Sequence, residues 1–244
     1  MKFDGNRYAK KTSEKLLPNT VFETSSLMLN ENSGFDMKYQ INKVHNLKLA
    51  AKTINKVIIE PKETFSFWQL VRWADRHEKY KDGLNLVNGK IVGSYGGGLC
   101  QLSNMLFWLF LHTPLVIVER HGHAVESFPS TTEEMPRRNE ATINEGWLDL
   151  KPRKKTNILS RLRLVLMTTL VWCNFVAKLV NIDIRFLFVC FLFQAREKVY
   201  QIASVCRTEK DKMTGSQTEK ELYVNQCKIA YKLPDGVKIE ERGV

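Results

Sequence analysis

The chain has 244 residues, 43% of them apolar and 26% charged, a globular composition with length for one full domain and an appendage, or for two small domains. Collagen-like, mucin-like and wholly disordered chains are excluded. The formal charge is +11, from 37 Lys and Arg against 26 Asp and Glu, yet nine of the basic residues and one acidic residue fall between Lys151 and Arg196. The other 28 basic and 25 acidic side chains nearly cancel. No aromatic-and-basic repeat or zinc spacing accompanies them, so nucleic acid is not an expected partner.

Residues 1–41 form a polar segment whose clearest turn is Asn30-Glu-Asn-Ser-Gly34. Lys43 to Ile59 reads as a helix, because Val44, Leu47, Ala50, Ala51, Ile54 and Ile58 recur at three- and four-residue steps. Pro61 closes it. Thr64-Phe-Ser-Phe-Trp68 alternates small polar with aromatic side chains and suits a short half-buried strand, while Asp82-Gly, Asn88-Gly and Gly93 mark turns. The run Ser94-Tyr-Gly-Gly-Gly-Leu-Cys-Gln-Leu-Ser103 is a Gly-rich turn opening a buried helix that Pro114 ends. Leu115-Val-Ile-Val118 is an interior strand by its β-branched content, delivering Glu119-Arg-His-Gly-His123 at its exit. A loop from Pro129 to Pro136 leads to two strand-like pieces, Ala141-Thr-Ile143 and Gly146-Trp-Leu-Asp-Leu150. Helices followed by several strands indicate an α+β core domain over residues 42–151, with mixed or antiparallel pairing.

Residues 152–195 break the pattern. Leu164 to Phe193 holds 23 apolar residues in 30, with no Gly from Trp147 through Thr214, and its periodicity is neither helical nor strand-like. Two readings follow: a membrane-associated segment over 164–193, or text translated out of frame between two compensating shifts. A spanning helix is opposed by Lys178, Asp183 and Arg185, since a charge near a helix centre costs roughly 2.5–3.5 kcal/mol on insertion scales. From Arg196 onward the text is ordinary again. Val199 to Val205, a turn at Lys212-Met-Thr-Gly215, then Glu221 to Val224 and Cys227 to Leu233 make a C-terminal β-hairpin or small antiparallel sheet over 196–244.

The five cysteines (Cys100, Cys173, Cys190, Cys206, Cys227) contain no C-x-x-C pair and are odd in number, so reduced thiols are expected. Met1 to Lys11 carries early charges and no apolar run, which shows no secretory signal. The expected location is cytoplasmic, with membrane-associated or cell-surface placement as the alternative.

Three consecutive glycines, Gly96, Gly97 and Gly98, fill no volume and allow close backbone approach. They leave Cys100 at the first turn of a helix, where free N–H groups and the macrodipole favour a thiolate and, at Gly96 to Gln101, an oxyanion. The plain alternative is a turn with a small buried thiol. His121 and His123, some twenty residues on, supply a base able to return a proton to a leaving group. Arg120, Glu119 and Asp149 are available to orient an imidazole or grip a carboxylate. Cys100, His121 and His123 lack a fourth partner and match no zinc spacing, so neither a metal nor a cofactor is expected.

Four ordered blocks resemble the VanW family: Pro61-Lys-Glu-Thr-Phe-Ser-Phe-Trp68, Gly96-Gly-Gly-Leu-Cys-Gln101, Glu119-Arg-His-Gly-His123 and Ala141-Thr-Ile-Asn-Glu-Gly-Trp-Leu-Asp-Leu150. The likeness extends upstream through Asn30 to Asp36 and Asn46 to Ala51. It implies a single VanW-like domain and an accessory role in glycopeptide resistance. It further implies an activity on peptidoglycan stem peptides or their precursor, as an L,D-transpeptidase or carboxypeptidase with Cys100 as nucleophile and His123 as the histidine fitting the family pattern. Thr64, Ser66 and Asp149 match family positions. The chain departs from the family where Arg138-Asn139-Glu140 stands in place of a Gly-x-Asp turn. The alternative function is a non-catalytic module that binds a cell-wall precursor or another resistance protein.

Overall fold

Asp36 sets where the first long element begins. Its carboxylate accepts the Lys38 N–H at 2.8 Å and caps helix α1, Met37–Ile54. That helix is preceded by strands β1 (Arg7–Tyr8) and β2 (Asn19–Leu27). In chain order there follow β3 (Ile58–Ile59), β4 (Glu63–Thr64), helix α2 (Phe67–Val71), β5 (Asp82–Val87), β6 (Lys90–Tyr95), helix α3 (Cys100–Leu111), β7 (Leu115–Glu119) and β8 (Val125–Glu126). The remainder is all strand: β9 (Lys151–Lys154), β10 (Ser160–Leu166), β11 (Leu170–Ala177), β12 (Ile182–Ala195), β13 (Lys198–Asp211), β14 (Gln217–Ile229) and β15 (Glu240–Glu241). The computed structural model describes residues 5–15, 17–31, 33–87, 90–123, 125–126, 140–157, 160–166, 170–177, 182–195, 197–233 and 236–241. The fold is α+β, as its sequence indicates. The expected turn at Asn88-Gly89 and the loop from Pro129 to Pro136 lie outside the described residues.

The chain divides into two compact units, one of residues 1–87, 91–121 and 141–180, the other of 88–90, 122–140 and 181–244. The first unit holds two four-stranded sheets, ordered β1-β4-β9-β7 and β2-β11-β10-β3, and the pair β5-β6. Helix α3 packs on β7 of one sheet and on β2 and β11 of the other. Its apolar text is explained by that double burial: Phe107 and Phe110 are fully buried, and Phe110 meets Phe65 at 5.0 Å and Phe175 at 6.4 Å between ring centroids. Helix α1 buries Leu47, Ala50, Ala51 and Ile54, the predicted stripe.

Several local expectations are corrected. Helix α1 runs six residues earlier than Lys43 and stops at Ile54 instead of Ile59, because Asn55 turns extended and Lys56 takes φ +66; Ile58 and Ile59 belong to β3, paired with Arg161 and Ser160. The alternating Thr64 to Trp68 is a strand only through Thr64. Ser66 then caps α2 by accepting the Gln69 N–H at 3.1 Å. Gly83 and Gly93 sit inside strands and not at turns: a Cβ on Gly83 would lie 2.4 Å from the Gly97 carbonyl oxygen, and one on Gly93 would strike the Tyr39 ring at 2.6 Å. Strand β7 is an edge strand, with Val118 51% exposed at a bulge between Ile117 and Glu119. Residues 141–150 hold one isolated bridge, Asn144 to Leu148, around a turn.

The apolar stretch 164–193 is strand in its described parts. Strand β11 is paired on both edges, with β2 and β10, and its residues from Cys173 to Ala177 are buried on both faces, which removes the alternation that a one-sided strand would show. No helix among the described residues is long and apolar enough to cross a membrane. In the second unit the sheet order is β15-β12-β13-β14-β8. The expected turn after β13 is present: the Asp211 carboxylate accepts the Met213 and Thr214 N–H groups at 2.7 and 2.9 Å, and Gly215 takes φ +72. All five cysteines are free thiols.

Candidate active site and adjoining cavity

The Gly-rich turn is built by close approach to its surroundings. Gly96 and Gly98 take φ +70 and +94, and a Cβ on Gly97 would lie 2.2 Å from the Gly83 carbonyl. Asn46 of α1 holds the turn in place, its amide donating to the Gly97 carbonyl at 3.0 Å and the Lys81 carbonyl at 2.8 Å. The side chain of Lys43, one turn earlier, crosses the space where a Gly98 Cβ would stand, 2.2 Å from its Cγ. Burial pushes the Lys43 ammonium down to about 8.

Cys100 is the first residue of α3 and is half-buried. Its thiol reaches the Ile143 carbonyl at 3.9 Å. Residues 141–143 are also held by the rest of the first helical turn: Ser103 donates to the Ala141 carbonyl at 2.6 Å, and Asn104 accepts the Ala141 N–H at 2.8 Å. The His121 carbonyl accepts the Thr142 N–H at 2.7 Å, so Cys100 and the His121 main chain both contact residues 142–143. Of the turn's N–H groups, those of Gly96, Gly97 and Gln101 bond to the carbonyls of Lys81, Ser94 and Gly98. The Gln101 amide donates to Ser26 and to the Leu27 carbonyl, tying α3 to β2.

The His121 ring is engaged elsewhere. Its Nε2 lies 3.2 Å from Glu119 Oε1, and the other Glu119 oxygen accepts from Lys151 at 2.7 Å. Glu119 and Lys151 are register partners across β7 and β9, so the sheet itself sets this ion pair. Burial raises the Glu119 carboxyl, but the Lys151 and His121 contacts and the Asp149 N–H together hold it below the ordinary value. Asp149 is buried: one oxygen accepts from the Ser66 hydroxyl at 2.5 Å, the other from the Trp68 and Leu150 N–H groups at 3.1 and 2.8 Å. Its burial outweighs those bonds and raises its carboxyl.

Around this network lies a cavity of about 520 Å³. Ser66, Glu119, Asp149 and Lys151 line it together with Tyr8, Trp68, Arg72 and the turn Glu145 to Leu148. Trp147, at the tip of that turn, is 85% exposed. The walls of this cavity come from helix α2, strands and a turn far apart in the chain, and the signal for it in the sequence is Trp147 beside Gly146.

The other predicted residues have contacts of their own. Arg120 places its guanidinium over the Phe107 ring, 5.1 Å from the centroid. Thr64 is buried in β4. His123 belongs to the second unit, where its main-chain N–H donates to Glu140 at 3.3 Å. Among the described residues no group of three His, Cys, Asp or Glu side chains is close enough to hold a metal ion.

The profile of VanW like proteins matches residues 42–175. The chain is 45% identical over 252 residues to the Vancomycin B-type resistance protein VanW of Enterococcus faecalis, an alignment covering 99% of this chain and 89% of that one. The chain belongs to the VanW family. It is also 35% identical over 113 residues to the Uncharacterized protein YoaR of Bacillus subtilis, covering 46% of this chain and 36% of the relative. No solved structure matches it.

The four VanW blocks acquire distinct structural meanings. The block 61–68 supplies the α2 cap through Ser66, and 96–101 supplies the turn and thiol. The block 119–123 supplies the Glu119 and His121 pair, and 141–150 supplies both the segment against Cys100 and the Asp149 clamp.

Proposed function

We propose that this VanW-family chain serves glycopeptide resistance, as the name of its Enterococcus faecalis relative states of that protein, by acting as a cysteine acyltransferase on peptidoglycan stem peptides or their precursor. The observation that carries the reading is Cys100 at the start of a twelve-residue helix behind a three-glycine turn, a place that favours thiolate over thiol.

The Cys100 thiolate attacks the carbonyl of the third stem residue. Main-chain N–H groups at Gly98 and Leu99 hold the oxyanion. The bond to the terminal D-residue breaks, its nitrogen takes a proton from an imidazolium, and a thioester remains on Cys100. An amine then attacks to give a crosslink, or water attacks to give a trimmed peptide; the imidazole accepts the proton and the thiolate is restored. Two histidines compete for the base. The family resemblance points to His123, whereas His121 has a carboxylate partner, Glu119, of the kind that orients a catalytic imidazole.

The test is incubation of the purified chain with muropeptide stem peptides, read by mass spectrometry. Loss of the terminal residue together with an acyl adduct, both absent from Cys100→Ala, supports the proposal, and His121→Ala and His123→Ala then identify the base. Under the competing reading, a non-catalytic module for a cell-wall precursor or another resistance protein, Cys100→Ser retains function while Gly97→Val abolishes it. In its favour, both oxygens of Asp149 and the Gln101 amide nitrogen are committed to structural hydrogen bonds.

A further inference from the structure

The cavity beside Asp149 is built differently from the Cys100 turn, and its lining indicates what it takes. Its volume, about 520 Å³, falls in the roughly 300–1,000 Å³ range of small-ligand sites. Three aromatic side chains, Tyr8, Trp68 and Trp147, contribute to the wall. Trp68 is fixed, its indole N–H donating to the Leu148 carbonyl at 2.9 Å. Trp147 is presented by a tight turn in which Gly146 takes φ +83, the Trp147 N–H donates to the Asn144 carbonyl at 3.0 Å, and Asn144 and Leu148 bond to each other in both directions. A tryptophan 85% exposed on such a turn stabilises no core.

The polar lining narrows the chemistry. Glu119, Glu145 and Asp149 stand against Arg72 and Lys151, a net formal charge of two minus three, or −1. Lys151 is already paired with Glu119 at 2.7 Å and lies 3.8 Å from Asp149. A phosphate or nucleotide would need surplus positive charge here and finds none. The lining is nearly neutral, with a carboxylate at Glu145, N–H groups at Arg72 and Gln69, and flat apolar faces at its aromatic side chains. That combination complements a ligand with apolar C–H faces rimmed by hydroxyl groups.

We infer that this cavity is a saccharide-binding site, in which a pyranose ring stacks on Trp147 and Glu145, Gln69 and Arg72 hydrogen-bond its hydroxyl groups. The inference goes beyond the acyl-transfer reading and requires no thiol chemistry. The two places share one piece of chain: residue 143 touches the Cys100 thiol, and residues 145–149 line the cavity.

The probe is chitotetraose, an N-acetylglucosamine tetramer, titrated into the full chain while tryptophan fluorescence is followed. A saturable change is expected, with affinity about tenfold weaker in Trp147→Ala. Met213→Ala removes a large apolar side chain that is 82% exposed outside the cavity lining and leaves affinity unchanged. Glu145→Ala, also at an exposed position, weakens binding without altering the melting temperature. Repeating the titration on Cys100→Ala separates the two proposals, since saccharide binding persists there even if acyl transfer is never observed. Absence of a saturable change in the wild-type chain overturns the inference. So does equal affinity of Trp147→Ala, or saturable binding of uridine monophosphate or a stem tripeptide where chitotetraose gives none.

Discussion

The Ser66 hydroxyl donates to the Asp149 carboxylate at 2.5 Å across 83 positions of sequence, and the same Ser66 oxygen accepts the Gln69 N–H that opens α2. One carboxylate thus fastens a helix start, the Trp68 N–H and the Leu150 N–H at a single point. Asp149→Ala leaves those donors without their acceptor in a buried place and is expected to lower stability by about 2–3 kcal/mol. Asp149→Asn, which keeps one acceptor oxygen, loses less. Denaturant unfolding followed by circular dichroism measures both; equal stability of Asp149→Ala and wild type would show that the clamp stabilises nothing.

Gly97 and Gly83 meet backbone to backbone, so Gly97→Ala has no flexible neighbour to displace. It is expected to cost about 3 kcal/mol, at the upper end of overpacking effects. Gly215→Ala meets open space and pays only for φ +72, about 1 kcal/mol. Thermal melts of the two variants should therefore differ clearly in the same chain.

Glu119 and Lys151 give the fold opposite pH limits. Glu119 is held below its ordinary value, so its contribution is present above about pH 4.3 and is lost as pH falls through the folded value. Lys151 is held above its ordinary value, its pairing with Glu119 outweighing burial; its contribution is present below about pH 10.4 and is lost as pH rises through the folded value. Glu119→Gln should reduce stability at pH 7 and flatten the acid-side loss due to this residue. A double-mutant cycle with Lys151→Met should return a coupling on the order of 1 kcal/mol, held down by solvent screening. A zero coupling would show that the pair is electrostatically idle.

Lys43 behaves in the opposite sense to Lys151. Burial lowers its ammonium from 10.5 to about 8, so the unfolded chain binds more protons between those values and stability rises with pH across that window. Lys43→Met removes a charge-burial cost that exists at pH 7 and has vanished above pH 10.5. The variant is expected to be the more stable protein at neutral pH, with the advantage disappearing on the alkaline side. Melting temperatures of the two proteins between pH 7 and 10.5 read this directly.

Much of the helical framework was legible in the residues. The stripe Leu47, Ala50, Ala51 and Ile54 faces the interior, and Cys100 does open a buried helix after a glycine turn. Both features are local, resting on a 3.6-residue period and on the freedom of glycine. The hairpin around Gly215 was legible for the same reason: an Asp-led turn needs only its own neighbours. The order of the VanW blocks was likewise visible without coordinates.

The tertiary structure decided everything that depends on which surface a residue meets. Strand β11 reads as featureless apolar text because strands on both edges and packing on both faces remove the need to alternate. Gly83 and Gly93 look like turn residues, yet their value is absence of a Cβ where Gly97 and Tyr39 approach. Glu119 and Lys151 are separated by 32 positions, and only sheet register makes them a pair. Beyond Trp147 in its turn, the cavity is the work of tertiary structure, since Tyr8, Trp68, Trp147 and Lys151 come together through chain crossings that no local period encodes.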